Sequence, residues 1–176
     1  MALRNLCIYP DPLLRERCRE IEDIDGEVLK LLNDLAESMY ANKGIGLAAP
    51  QIGAALRAIV LDVEQRDGTP KLIELVNPVI IESSTELSEF EEGCLSFPDE
   101  SEKVIRPAEV TVQAIDRDGK PVELKATGLK ATVVQHEIDH LDGILFIDRV
   151  SRLKRSLIDR RMKKKARATA AVGGSS

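Results

Sequence analysis

The 176-residue sequence predicts an α+β fold, with antiparallel and mixed β-sheets packed around a central helix and one further helix toward each end. Three observations carry this prediction. An amphipathic helical period lies between Asp25 and Gly44, strand-like texture fills the chain from Arg57 to Lys125, and helical periods return after Thr127. The length suits one domain with a single core, assigned to residues 1–168, with 169–176 as a disordered tail. No internal repeat or linker divides the chain.

The first helix follows from Asp25 as N-cap and from Val28, Leu31, Leu32, Leu35 and Met39 on one face, and it ends near Asn42-Lys43-Gly44. Strands are expected at 57–63, 71–80, 86–94, 109–115 and 121–125, where residues are β-branched or alternate apolar with polar. Asp67-Gly68 and Asp118-Gly119 mark turns, the second joining two strands in a hairpin. A second helix is expected from about Thr127-Gly128 to Leu141, with Leu129, Val133, His136 and His140 on its apolar stripe. Asp142-Gly143 ends it, Ile144 to Ile147 reads as a short strand, and a basic helix follows over 151–168, anchored by Leu153, Leu157 and Ile158.

Composition excludes several classes. Apolar residues at 43% and charged residues at 31% do not suit a disordered or fibrous chain. With 3% aromatics, the core must be built mainly from Leu, Ile, Val and Ala. There is no apolar run long enough to span a bilayer and no secretory signal after Met1, so a cytoplasmic protein without a membrane partner is expected. Three widely spaced cysteines argue against a disulfide framework; Cys7 and Cys18 read as small apolar residues. The net charge of −5 hides nine basic residues and one acid between Ser151 and Ala170, which sets a +8 tail against a −13 body.

Chemistry enters at His136-Glu137-Ile138-Asp139-His140. On a helix the two imidazoles stand one turn apart and can grip one divalent ion, while Glu137 projects toward a water on that ion. They are the only two histidines in the chain. Chance placement at this spacing with Glu after the first is on the order of one in a thousand, which favours metal binding over a coincidence on a buried helix face. A catalytic metal usually has three protein ligands. Candidates for the third are Cys94, whose thiolate is a strong soft ligand, or an acid after His140, namely Asp142, Asp148 or Asp159. Gly44 to Gln51 reads either as a tight segment for close backbone approach or as a plain turn.

Gly44-Ile45-Gly46-Leu47-Ala48-Ala49-Pro50-Gln51, Glu92-Gly93-Cys94-Leu95-Ser96 and Gln135-His136-Glu137-Ile138-Asp139-His140-Leu141 together resemble the three motifs of the bacterial peptide deformylase family, in its order and approximate spacing. The resemblance extends to about Arg167. It implies that Cys94, His136 and His140 hold the metal and that Glu137 is the general acid and base for hydrolysis of an N-formyl-methionyl nascent peptide, with release of formate. It implies further that Gln51 and the backbone N–H of Leu95 stabilise the oxyanion, that Gly46 meets the formyl N–H, that Ile45, Phe90, Leu95, Leu129 and Val133 line the pocket for the methionine side chain, and that Gly44 also belongs to the substrate-binding residues. Glu92 and Arg106 would form a buried ion pair near the cysteine, against the alternative of two solvated charges. Ser101 departs from the family pattern, in which a basic residue meets the peptide backbone. The implied ion is Fe²⁺ in the cell, with Zn²⁺, Ni²⁺ or Co²⁺ also suited to the donors. The basic helix would dock on ribosomal RNA through phosphate contacts, and a monomer is expected.

Two other functions share parts of this pattern. A zinc metalloprotease would use the same helix motif but a third histidine or acid farther along; an RNA-binding module with a structural metal would need four protein ligands.

Overall fold

The computed structural model describes residues 3–174. Helix α1 (Gly26–Ala41) begins where the Asp25 carboxylate accepts the Val28 N–H at 2.9 Å, and it buries Val28, Leu32, Leu35 and Met39. The chain leaves α1 through Lys43 at φ 56° and enters β1 (Gly46–Ala48). That strand begins a five-stranded sheet in the order β1, β2 (Ala58–Leu61), β3 (Ile73–Ser83), β6 (Glu109–Ile115), β7 (Pro121–Thr127). β4 (Leu87–Cys94) and β5 (Phe97–Pro107) form a separate two-stranded hairpin.

Period two along β2 explains how the larger sheet is covered. Ile59 and Leu61 face the core beneath α2 (Gly128–Leu141), while Ala58 and Val60 face the core beneath α1. Every residue of β2 is therefore buried. Helix α2 is enclosed so fully that all residues from Ala131 to Leu141 are buried. A third cluster lies under α3 (Arg152–Gly173), where Tyr9 stacks on Phe97, Phe146 meets Phe97 edge-on, and Ile158 and Met162 pack with them. Three of the five aromatic rings in the chain are used in this seat.

The α+β architecture, the caps of α1, the bounds of α2 and the β6–β7 hairpin agree with the sequence. Other details differ. Both sheets are antiparallel, and the mixed character expected is reduced to one isolated parallel bridge between Arg19 and Leu56. The apolar run at 144–147 is no strand: the chain curls into a 3-10 helix at Phe146–Arg149, and the Asp148 carboxylate accepts the Leu145 N–H at 2.9 Å. Short apolar runs do not separate the two outcomes. Helix α3 continues to Gly173 where a disordered tail from residue 169 was expected, because Ala166, Ala168, Ala170 and Ala171 are strong helix formers; Ser175 and Ser176 lie outside the described residues. Its anchors are Ile158 and Met162, each 1% exposed, while Leu153 is 70% exposed.

Candidate metal centre and substrate cleft

The hairpin of the small sheet brings Cys94 to the helix motif. Register along β4 and β5 shifts between Gly93 and Cys94, and the tight turn through Leu95 and Ser96 presents the thiol toward α2. The ligand atoms of Cys94, His136 and His140 all lie within 4.8 Å of one another. Cys94 Sγ is 3.4 Å from His140 Nε2, and the imidazole centroids are 5.0 Å apart. The acids considered as alternative third ligands are engaged elsewhere: Asp142 with Arg57, Asp148 with Arg15, and Asp159 with Tyr9.

Burial sets the electrostatics. Desolvation, with the positive charges of His136 and Arg106 behind it, holds the His140 pKa well below its ordinary value, so the imidazole is neutral and free to donate a lone pair. Burial works in the same sense on His136, but the Cys94 and Glu92 side chains outweigh it and raise its pKa; the pocket favours positive charge there. Burial pushes Glu137 up to about 7. Its Oε2 is fully enclosed and has no hydrogen-bond partner among the described residues. Two imidazole nitrogens and a sulfur are donors that would suit a divalent first-row ion, and three protein ligands would leave a coordination position for water.

Gln51 and the glycines complete the centre. In the 3-10 helix Ala49–Ile52, Gln51 Oε1 accepts the Ala48 N–H at 2.9 Å, and Nε2 donates to Ser96 Oγ at 3.1 Å and reaches Cys94 Sγ at 3.4 Å. A Cβ added to Gly46 would stand 2.5 Å from Glu137 Oε1 and 2.8 Å from Val133 Cγ1. Only glycine lets this backbone pass so close to the carboxylate.

From this floor a cleft of about 550 Å³ opens to the surface, lined by Gly44, Ile45, Leu95, Leu129 and Val133 among others. Phe90 is not on its wall; it is half-buried in β4 opposite Val104. Ser101 is exposed and donates to Glu91 at 2.8 Å, also away from the wall.

The family model described as polypeptide deformylase matches residues 3–156. The chain belongs to the peptide deformylase family. It is 49% identical to the peptide deformylase of Agrobacterium fabrum strain C58, over 96% of this chain and 99% of that one. The crystal structure of a peptide deformylase from Legionella pneumophila superposes with a TM-score of 0.88 at 44% identity, covering 96% and 98% of the two chains. The Ehrlichia chaffeensis peptide deformylase in complex with actinonin gives 0.89 at 37% identity, covering 94% and 98%.

Against this deformylase frame, several residues of the cleft were not singled out in the sequence. Leu6 and Ile8 reach its wall from the N-terminal segment, which is pinned by Cys7 N–H to Gln51 O at 2.7 Å and Tyr9 N–H to Ser96 O at 2.9 Å. These are tertiary contacts with no local signal. Lys43 and Arg66 also line the cleft. The expected Glu92–Arg106 pair is present, bidentate at 2.6 and 3.0 Å and buried on both sides; it continues outward to Asp139 and Arg149, whose pairing carries no local sequence signal.

Proposed function

We propose that this chain is a metal-dependent amide hydrolase that removes the N-formyl group from the initiating formyl-methionine of newly made polypeptides and releases formate. The observation that carries the proposal is the convergence of Cys94, His136 and His140 beside the buried, unpartnered oxygen of Glu137 at the closed end of an apolar cleft. A divalent ion held there lowers the pKa of water toward neutrality and polarises a carbonyl oxygen. The donors suit Fe²⁺, which we propose for the cell, and equally Zn²⁺, Ni²⁺ or Co²⁺.

The side chains then have separable tasks. The methionine side chain enters between Ile45, Leu95, Leu129 and Val133, and the Gly46 backbone meets the formyl N–H. Glu137, poised near neutrality by burial, accepts the proton of the attacking water and returns it to the departing nitrogen. Gln51 Nε2 and the Leu95 N–H face the oxygen on which negative charge develops. The carbon–nitrogen bond of the formyl group breaks, a carbon–oxygen bond forms, and the products are formate and a free amine.

Residues 1–168 form the catalytic domain in this proposal, acting as a cytoplasmic monomer. No helix among the described residues is long and apolar enough to cross a membrane. Contact with ribosomal RNA is assigned to a subset of the α3 cations. Lys154, Arg155, Arg161, Lys163 and Lys165 are paired with acids, three of them on β5. Arg152, Arg160, Lys164 and Arg167 have no ion pair among the described residues. At 3.6 residues per turn these four fall within about a third of the helix circumference, opposite Ile158 and Met162. Without aromatic residues among them, such a stripe favours phosphates over bases.

Glu137→Ala tests the chemistry, since it removes the proton carrier and no metal ligand. The variant should keep one metal per chain and lose roughly 10²- to 10⁴-fold in hydrolysis of formyl-Met-Ala. Parental turnover in that variant would sink the mechanism.

A further inference from the structure

Charges alternate in an unbroken line from the surface to the metal-site helix. At the outer end, Arg149 grips both oxygens of Asp139 at 2.5 and 2.7 Å. Asp139 also accepts from Arg106 at 2.8 Å. Arg106 uses its remaining nitrogens on the two oxygens of Glu92, at 2.6 and 3.0 Å. At the inner end, Glu92 Oε2 lies 3.8 Å from His136 Nδ1, a close electrostatic contact longer than an ordinary hydrogen bond, and this leaves Nε2 of that ring for a metal. Glu92, Arg106 and Asp139 are all buried, whereas the Arg149 side chain is 40% exposed.

Two of the links, Arg149 to Asp139 and Arg106 to Glu92, are two-point contacts, and Arg106 joins them through one further bond to Asp139. Glu92 has both oxygens held by one guanidinium, so its orientation toward His136 is set by Arg106. Arg106 in turn stands between two carboxylates and can be drawn to either. Arg149 removes that competition by satisfying Asp139 from the other side. Two positive and two negative charges then cancel within the line. Without Arg149, two buried carboxylates share one guanidinium, Arg106 shifts toward Asp139, and Glu92 loses its two-point hold. Groups that orient a ligating histidine from behind commonly tune metal affinity as strongly as they do ring geometry.

We propose that Arg149 is a positioning residue of the metal centre, which by neutralising Asp139 keeps Arg106 committed to Glu92 and so sets the ring of His136. The proposal rests on the assignment of Cys94, His136 and His140 as metal ligands. It differs from a purely structural role, in which Arg149 would only fasten the 3-10 helix Phe146–Arg149 to α2.

Cobalt-loaded full-length protein separates the two. The visible absorption bands of Co²⁺ report ligand geometry, and the rate at which a chelator strips the ion reports how well it is held. Arg149→Met should retain one cobalt per chain, shift the bands and lose the ion roughly tenfold faster. Its kcat on formyl-Met-Ala should fall while KM stays within about twofold. Arg149→Lys keeps a charge but cannot hold both Asp139 oxygens, so it should fall between Arg149→Met and the parent. Arg155→Met removes a cation that pairs with neighbouring Asp148 outside the line, and it should match the parent. Parental bands and chelation rate in Arg149→Met, whatever its melting temperature, would overturn the proposal. Should that variant fail to fold, Arg149→Lys decides on the same criteria. Cobalt binding by the parent and its loss in Cys94→Ser test the metal centre separately, so a failure there is distinguishable from a failure of the Arg149 assignment.

Discussion

Gly46→Ala should cripple catalysis while leaving the metal ligands untouched. The backbone at Gly46 is not in the left-handed region, so alanine introduces no conformational strain of its own. The added methyl would instead lie 2.5 Å from Glu137 Oε1 and 2.8 Å from Val133 Cγ1, where ordinary contact begins near 3.4 Å. Relief on the carboxylate side requires Glu137 to retreat by about 0.9 Å, and misplacing a catalytic group by that much costs roughly 10²-fold in rate. The corresponding loss of transition-state stabilisation is about 2.7 kcal/mol. Steady-state kinetics on formyl-Met-Ala, with metal content and melting temperature measured on the same preparation, checks this. We expect one metal per chain, a melting temperature close to the parent's and kcat/KM down about a hundredfold. Parental kcat/KM would refute the placement of Glu137 against the Gly46 backbone at the reacting centre.

Other consequences follow from burial and charge. In the metal-free protein, Glu137 has a folded-state pKa of about 7, above its unfolded value of 4.5, so it contributes stability at low pH that is lost as pH rises from 4.5 to 7. Metal-free Glu137→Gln should therefore be more stable than the parent above pH 7, by on the order of 3 kcal/mol, with the gap closing toward pH 4.5; urea unfolding at both pH values measures it, and a pH-independent gap would contradict the assignment. On α3, neutralising Arg152, Arg160, Lys164 and Arg167 together should weaken ribosome co-sedimentation in a salt-sensitive way and leave formyl-Met-Ala hydrolysis unchanged, while unchanged co-sedimentation would remove the RNA assignment. Deleting α3 is a poorer test, because Ile158 and Met162 are part of the core it covers.

How much of this was visible in the chain depends on where each signal is stored. The Asp25 cap, the apolar face of α1 and the Asp-Gly turn of the β6–β7 hairpin are local, and they read correctly. The helix motif at His136 and the Cys94 segment are local too, although only the fold shows that β4 delivers the thiol within 3.4 Å of His140. β5 was missed for a physical reason. Its inward alternation runs through Glu100, Glu102, Val104 and Arg106, so period two is carried largely by charges. Those charges are satisfied by Arg161 and Lys154 from α3, far along the chain, and by Glu92 across the hairpin. The same cause hid Arg149, whose value depends on Asp139 in α2 and, through it, on Arg106 in β5. Leu6 and Ile8 lie in a segment placed by tertiary contacts, among them hydrogen bonds to Gln51 and Ser96, which no sequence period encodes.

The central claim is that Cys94, His136 and His140 hold a metal with which Glu137 hydrolyses an N-formyl group. Anaerobically prepared protein, assayed for metal content and for formate released from formyl-Met-Ala, tests it most directly. The account predicts one divalent ion per chain and formate equal to the methionyl amine produced, with no cleavage of unformylated Met-Ala. Protein that carries the ion in full and releases no formate would contradict it.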